Sequence, residues 1–266
     1  MRGSEVLDGR EDQAAGLRRL FRRTPPNVAA LFVTGHDRSA IAGLAARRMS
    51  REGRVALLDE GRGEAGTALG LGLAEEGDLL NLIDGRTALD SLLRVSVEGV
   101  LHLPIAGAAL AFALLDDDHR ERLLTGLHAL QRRCSLMLIH ASLAATLPYS
   151  PFVQAAPRRL LLVEASGRGV TDAYASIKRL AAAGAGDLHV AVARARSRAE
   201  AVALFAQLDG LVRTHVGLPL AFLGEVERDD LGAALATQPA VRNDHAAAAA
   251  FLRRLAGWSR PSSGRV

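Results

Sequence analysis

Short apolar runs alternate with longer windows of helical periodicity along most of the chain. Several runs are continuous in their apolar character, which favours strands buried on both faces of a parallel sheet. The predicted strands are Val28–Val33, Val55–Leu58, Val100–Leu103, Leu136–Ile139, Arg159–Val163, Leu188–Val192 and Leu220–Leu223. Because strands and helices alternate, the sequence predicts right-handed crossovers and a doubly wound, mostly parallel α/β fold flanked by helices.

The helical windows lie between and after these strands. They are Ser39–Glu52, Asp116–Arg132, Thr171–Ala183, Arg198–Val216, Asp229–Thr237 and Asp244–Trp258. A short helix is also expected within Asp78–Leu93, leading to a turn at Gly85. The acidic run that starts at Asp116 is interpreted as a helix N-cap and first turn, where the helix dipole favours carboxylates. Arg194–Arg198 is interpreted as a solvated charged turn.

A polar lead precedes this pattern and ends at Thr24-Pro25-Pro26. It contains one helical window, Asp12–Phe21, in which Ala14, Leu17 and Phe21 fall on one helix face. The last eight residues have the composition of a disordered tail. The predicted organisation is an N-terminal extension over residues 1–24, an α/β domain over 25–258 and a tail over 259–266.

Composition narrows the class of protein. The chain has 266 residues, 49% of them hydrophobic but only 4% aromatic, so the core must consist mainly of Ala, Leu and Val. The net charge of +4 is not concentrated in a basic, aromatic patch, and we expect no nucleic-acid binding. A single cysteine, Cys134, excludes an internal disulfide and fits a reducing compartment. With no apolar signal segment or membrane span expected, the prediction is a cytoplasmic protein.

The first strand leads into a shortened version of a phosphate-binding loop. The strand Val28–Val33 is followed by Gly35-His-Asp-Arg-Ser39 and then by a helix. In this setting a glycine-rich loop closes its backbone N–H groups on phosphate, and a lysine neutralises the charge. Here only Gly35 remains, and the single lysine, Lys178, lies far away in the sequence. The scaffold therefore suits a nucleotide while the loop chemistry is missing.

Three stretches together carry a resemblance to a known family. They are Asp12-Gln-Ala-Ala-Gly-Leu-Arg-Arg-Leu20, Val170-Thr-Asp-Ala-Tyr-Ala-Ser-Ile-Lys178, and Arg54-Val-Ala-Leu-Leu-Asp-Glu60 followed by Leu69-Gly-Leu71. Over residues 12–258 the chain resembles the FlhG/FleN/YlxH-type flagellar number regulators, a branch of the MinD/ParA ATPases. The resemblance implies a MinD/ParA-like P-loop NTPase fold and a role in regulating flagellar biosynthesis, number or placement.

In this family the N-terminal helix docks on the flagellar GTPase FlhF. The resemblance therefore implies that an FlhF-like protein is the first candidate partner, with flagellar switch or transcriptional regulators as further candidates. The implied partner-binding residues are Asp12, Gln13, Gly16, Leu17, Arg18 and Leu20. From the residues alone, the same segment could equally be an amphipathic helix at the edge of the core.

The departures from the family pattern fall on the nucleotide site. Arg38 stands where the phosphate-contacting lysine falls, Ser39 where the magnesium-binding threonine falls, and His140 where an aspartate orients magnesium and water. Ala193 stands where an asparagine contacts adenine, and Asp59 alone matches a catalytic-region carboxylate. The vestigial positions are therefore Gly35, Arg38, Ser39, Asp59, His140 and Ala193. The expectation is a pseudo-ATPase with no catalytic residue, cofactor or metal, in which His140 is structural and Asp59 is either functional or a relic capping a turn.

Two alternatives stay open at this point. The first is a working MinD/ParA-type ATPase that uses ATP and Mg²⁺ around Arg38 and Ser39 and switches between monomer and dimer; whether the chain forms a homodimer is left open. The second is weak, peripheral membrane contact, at the inner membrane or cell pole, through the last helix. The residues for that contact are Phe251, Leu252, Leu255 and Trp258, which would otherwise pack on the sheet.

Overall fold

The structure is a computed structural model that describes residues 26–51, 53–141, 149–185, 187–237 and 247–258. The predicted partner-docking segment Asp12–Phe21 and the predicted tail over 259–266 lie outside the described residues. The expectations made for them therefore stay predictions.

Within the described ranges, eight strands form one sheet in the order β3-β4-β2-β5-β1-β6-β7-β8. All neighbours are parallel except β3 and β4, which are antiparallel. The strands are β1 (Asn27–Thr34), β2 (Val55–Asp59), β3 (Arg94–Val95), β4 (Leu101–Pro104), β5 (Leu136–His140), β6 (Arg158–Glu164), β7 (Leu188–Ala193) and β8 (Leu220–Glu225).

Helices cover both faces of this sheet. They are α1 (Arg38–Met49), α2 (Leu79–Ile83), α3 (Leu89–Leu92), α4 (Ala106–Ala111), α5 (Asp117–Gln131), α6 (Pro151–Ala155), α7 (Gly167–Ala182), α8 (Arg198–Val216), α9 (Leu231–Thr237) and α10 (Ala247–Ala256). Short 3-10 turns lie at Gly63–Ala65, Leu69–Leu71 and Phe112–Leu114.

Side chains of the central strand alternate between two hydrophobic layers. Val28, Ala30 and Phe32 of β1 point into the layer that contains α2 to α8 and α10. The next residues in each case, such as Ala29 and Leu31, point into the layer that contains α1 and α9. A strand with both faces buried needs no polar alternation, which is why the apolar runs in the sequence are continuous.

The predicted doubly wound α/β fold is confirmed, with small shifts in the element ends. Helix α7 begins at Gly167, four residues before the predicted start, because the side chain of Ser166 accepts a hydrogen bond from the Gly169 N–H and caps the helix. Helix α5 has Asp116 as its N-cap, as the acidic run predicted. The antiparallel strand β3 and the short helices α4 and α6 were not predicted, because elements of two to six residues carry too few positions to show a period.

The last helix packs into the core. Phe251 and Leu255 of α10 are 0% and 1% exposed, and the helix contacts α5, α6 and β1. Trp258 meets the ring of Phe112 edge-on at 5.3 Å, and Leu252 is partly buried against the same layer. The apolar face of α10 is thus covered by protein, and the membrane-contact alternative stays a prediction.

No helix in the described part of the chain is long and apolar enough to span a bilayer.

Candidate functional site

The carboxyl ends of five neighbouring strands bring the predicted site residues to one edge of the sheet. The order β2-β5-β1-β6-β7 places Asp59 beside His140 in register, and Glu164 beside Ala193. The loop that follows β1 lies between these two pairs. In open α/β sheets this edge is where ligands bind, so the edge can be divided into a β2–β5 side and a β6–β7 side of the loop.

The loop after β1 is held by a carboxylate from β6. The backbone N–H of His36 donates to Oε2 of Glu164 at 2.9 Å, and the Ser166 hydroxyl donates to the same oxygen at 3.2 Å. Gly35 has φ of +100°, and a Cβ at this position would lie 2.1 Å from that Oε2. The remaining glycine therefore allows the chain to place its own anion against the loop, where a phosphate-binding loop would hold a phosphate oxygen.

A single arginine connects the loop to the ends of two other strands. Nη1 of Arg194 donates to Oδ2 of Asp37 at 2.7 Å and to Oε1 of Glu164 at 3.1 Å, while its backbone N–H donates to Glu227. The hydrogen bond with Asp37 raises the pKa of Arg194, and the charge of Glu164 adds to this shift. Arg194 has φ of 61°, an uncommon value for a residue with a side chain. The predicted solvated turn at Arg194–Arg198 fits the exposure of Arg194, whose side chain and backbone N–H also bind three acidic side chains.

On the β2–β5 side, Asp59 is saturated with hydrogen bonds. Asp59 is buried, and its carboxylate accepts from the backbone of Gly61 and from the backbone and hydroxyl of Thr67. Nδ1 of His140 lies 2.8 Å from its Oδ1, and Nε2 of His102 lies 3.3 Å from its Oδ2. Burial raises the pKa of Asp59, but the hydrogen bonds with His102 and His140 outweigh burial and hold the pKa well below its usual range. Asp59 therefore anchors the turn that leads from Gly61 to Thr67.

These contacts place two unpredicted residues at the site. His102 is a polar residue within a buried run, on the strand next to β2, and Glu164 ends an apolar strand as Asp59 does. The second signal was visible in the sequence, because an acidic residue at the carboxyl end of a buried strand lies at the ligand edge. For His102 the sequence offered only a buried histidine, which is an ambiguous signal.

A cavity of about 640 Å³ lies at the start of α1, bordered by Arg38, Ser39 and His140. The structure thus brings together three of the predicted positions, while Gly35 and Asp59 lie just beside them in the adjoining loop and strand. Ala193 does not border this cavity; it is buried at the end of β7, next to Glu164. Arg38 is exposed and forms no ion pair with other described residues. It is the cation of this cavity that remains available to a ligand.

The residues do not fit a resident magnesium ion. Mg²⁺ requires near-octahedral oxygen coordination, and both oxygens of Asp59 already accept hydrogen bonds from the protein. The neighbouring strand supplies the imidazole of His140 where a second carboxylate would be needed. Among the described residues, no group of three or more His, Cys, Asp or Glu side chains is arranged to hold a metal.

The structure is a doubly wound α/β fold in which the chain's own hydrogen-bonded side chains occupy the edge where such folds bind ligands. Among solved structures, the chain is similar to MinD in the MinC:MinD cell division complex of Aquifex aeolicus (18% identity, 88% of this chain and 97% of that chain, TM-score 0.48). It is also similar to a single-residue variant of Cyanothece McdA in complex with ATP (15% identity, 90% of this chain and 100% of that chain, TM-score 0.48). No established family profile matches the chain.

At the level of sequence, the chain is similar to antiactivator FleN of Pseudomonas aeruginosa. The two are 28% identical over 201 residues, which cover 75% of this chain and 70% of FleN. This similarity bears out the resemblance that the motifs predicted.

Proposed function

We propose that this protein regulates flagellar biosynthesis, number or placement by binding other proteins, without binding or hydrolysing ATP. The similarity to antiactivator FleN supports the flagellar role. The observation that carries the loss of ATP binding is the hydrogen bond from the His36 N–H to the Glu164 carboxylate. A loop whose N–H group is engaged by an internal anion is not free to bind an external one.

Electrostatics at the loop supports this proposal. A triphosphate placed on the loop would meet the carboxylates of Glu164 and Asp37, whose charges Arg194 only partly compensates. The loop has no lysine, and Arg38 is a planar fork that is poorly suited to a tight loop built around a point charge. Binding would thus require Glu164 to move and Arg194 to exchange partners.

Exposed apolar side chains at the same edge support binding to proteins. Leu69 follows the carboxyl end of β2, and Leu110 and Leu114 follow that of β4; they are 81%, 80% and 84% exposed. Large apolar side chains left in water beside a functional edge are typical of interaction surfaces. For the partner we propose an FlhF-like flagellar GTPase bound through the N-terminal extension, with flagellar switch or transcriptional regulators as further candidates.

The alternative function is a deviant ATPase that binds Mg-ATP around Arg38 and Ser39. The observation that favours it is the cavity of about 640 Å³ at the start of α1, where the helix dipole and the free guanidinium of Arg38 both attract anions. This alternative would restore nucleotide-dependent dimerisation as the switch.

Isothermal titration of the full chain with Mg-ATP separates the two functions. We expect no binding at millimolar nucleotide and no shift in melting temperature; a ligand at about 100 times its Kd would add roughly 2.7 kcal/mol to native stability. A micromolar Kd would overturn the proposal. Under the alternative, binding disappears in Arg38→Ala and survives in Arg48→Ala, a change in the last turn of the same helix.

A further inference from the structure

A groove of about 810 Å³ runs along α5, on the face of the sheet opposite α1. One wall is the segment that carries α2 and α3, including Leu82 and Leu89. The other wall is a single face of α5, because its members recur at helical spacing: Asp118, Glu121, Arg122, Thr125, Gly126, Ala129 and Arg133. The small residues at the middle of that face leave an apolar floor.

The charges along this groove are unevenly compensated. Arg133 pairs with Asp90 and Arg86 lies 3.3 Å from Asp84, whereas Arg122 donates to the neutral carbonyl oxygen of Ile83 and keeps its positive charge. Asp118 and Glu121 are exposed and have no ion pair among the described residues, so two negative charges stand against the one of Arg122. The groove therefore suits an occupant with an apolar stripe and basic side chains.

We propose that the groove receives the segment Asp12–Phe21 of the same chain. This segment combines the apolar residues Leu17, Leu20 and Phe21 with arginines at positions 18 and 19. Its predicted helix of ten residues would be about 15 Å long, and the stretch of α5 from Asp118 to Arg133 measures about 22 Å at 1.5 Å per residue. The groove is long enough for the segment and has the complementary charge.

The path of the chain places the segment within reach. The Asn27 N–H donates to the Ser135 carbonyl at 3.0 Å, and Ser135 is two residues from Arg133 at one end of the groove. Five residues, 22–26, can extend over about 17 Å, and the residue before a proline favours an extended conformation. Along the α5 axis that distance corresponds to about 11 residues. The linker can thus extend from Ser135 to the level of Thr125, one turn of α5 from Glu121.

This inference rests on the proposed function, because it concerns the segment proposed to bind the partner GTPase. The groove stores that segment when no partner is present, and a partner must compete with the groove to bind it. The regulated quantity is then the availability of residues 12–21 to the partner, in place of the nucleotide state.

Limited trypsin digestion of the full chain tests the docking, with cleavage at Arg18 and Arg19 followed by mass spectrometry. Glu121→Lys should accelerate this cleavage by about two- to fivefold, the range expected for loss of an exposed ion pair. The matched control is Asp117→Lys, an exposed position on the same helix outside the groove, with the same change in charge. Its cleavage rate should equal that of the unmodified chain.

Hydrogen exchange provides a second measurement on the same chain. The double variant Leu17→Ala with Phe21→Ala should raise exchange across residues 80–89 and 118–133, relative to the unmodified protein. Equal cleavage in Glu121→Lys, or unchanged exchange in the double variant, overturns the docking. Protection that depends on protein concentration also overturns it, because the occupant is then a second copy. Neither measurement uses nucleotide or partner. The docking can therefore fail while the proposed function stands, and the proposed function can fail while the docking stands.

Discussion

The two sides of the ligand edge of the sheet are closed by different kinds of contact. On the β2–β5 side, Asp59, His102 and His140 have side chains that are 2%, 2% and 5% exposed. On the β6–β7 side, the buried Glu164 is paired with Arg194, whose side chain is 42% exposed. The first network is part of the core, whereas the second is a surface ion pair laid over the loop.

This difference indicates which contacts maintain the fold and which block the site. When one member of a buried hydrogen-bonded network is removed, water cannot reach the groups left without a partner. When an exposed arginine is removed, solvent takes its place. The β2–β5 side should therefore govern stability. The β6–β7 side should have little effect on stability and should affect access to the loop.

The largest effect should follow from Asp59→Ala. The change leaves His140, His102 and the Thr67 N–H without their buried acceptor, and we expect a loss of about 3–5 kcal/mol in the free energy of unfolding. Urea denaturation measures this loss. Asp37→Ala, an exposed carboxylate at the same edge, is the control and should cost less than about 1 kcal/mol. Equal losses in the two variants would show that the two sides of the edge do not differ in their contribution to stability.

Acid should lower the free energy of unfolding through protonation of Asp59. The pKa of Asp59 is lowered in the folded state, so its stabilising contribution is fully present above the unfolded value of 3.8 and is lost as the pH falls below it. The unfolding free energy measured from pH 6 to pH 3 should decline less steeply below pH 4 in Asp59→Asn than in the unmodified chain. Identical slopes would show that Asp59 does not titrate differently in the two states.

The next effect concerns the partner. If neither side of the edge binds nucleotide, binding to an FlhF-like GTPase should depend on the N-terminal segment and not on Mg-ATP. The double change Leu17→Ala with Arg18→Ala should weaken this binding about tenfold or more, or roughly 1.4 kcal/mol, through loss of an apolar anchor and a cation. Titration with and without Mg-ATP measures both points. A double variant that binds normally but melts several degrees lower would place the helix in the core.

The smallest effect should follow from Arg194→Ala. Its ion pairs with Asp37 and Glu164 are screened by solvent at an exposed guanidinium, so the loss of stability should be under about 1 kcal/mol and should shrink further in high salt. Urea melts at low and high ionic strength test this. Arg196→Ala is the control: its ion pair with Glu200 lies on the same turn but does not contact the loop. A loss above about 3 kcal/mol, the size expected for a broken buried pair, would make the β6–β7 side part of the core as well.

The longer strands and their burial on both faces could be predicted, because each is a continuous apolar run that is distinct from its surroundings. The family resemblance picked out Asp59 and His140; each ends such a run, and parallel strands end at a common edge. The two-residue strand β3 and the short helices were missed because they are too short to show a period. The last helix was ambiguous, since one apolar stripe suits a core and a membrane equally well until its neighbours are known.

The sequence alone shows that the loop lacks the lysine and most of the glycines, which a phosphate-binding loop requires in any fold. What took their place was decided by tertiary structure. Glu164 reaches the His36 N–H across 128 residues of chain, and Arg194 reaches Asp37 across 157. Such pairings depend on which strands become neighbours and on side-chain direction at their ends. Local composition determines neither of these. The sequence therefore showed only a charged turn at Arg194, and the fold made its first residue the contact that covers the loop.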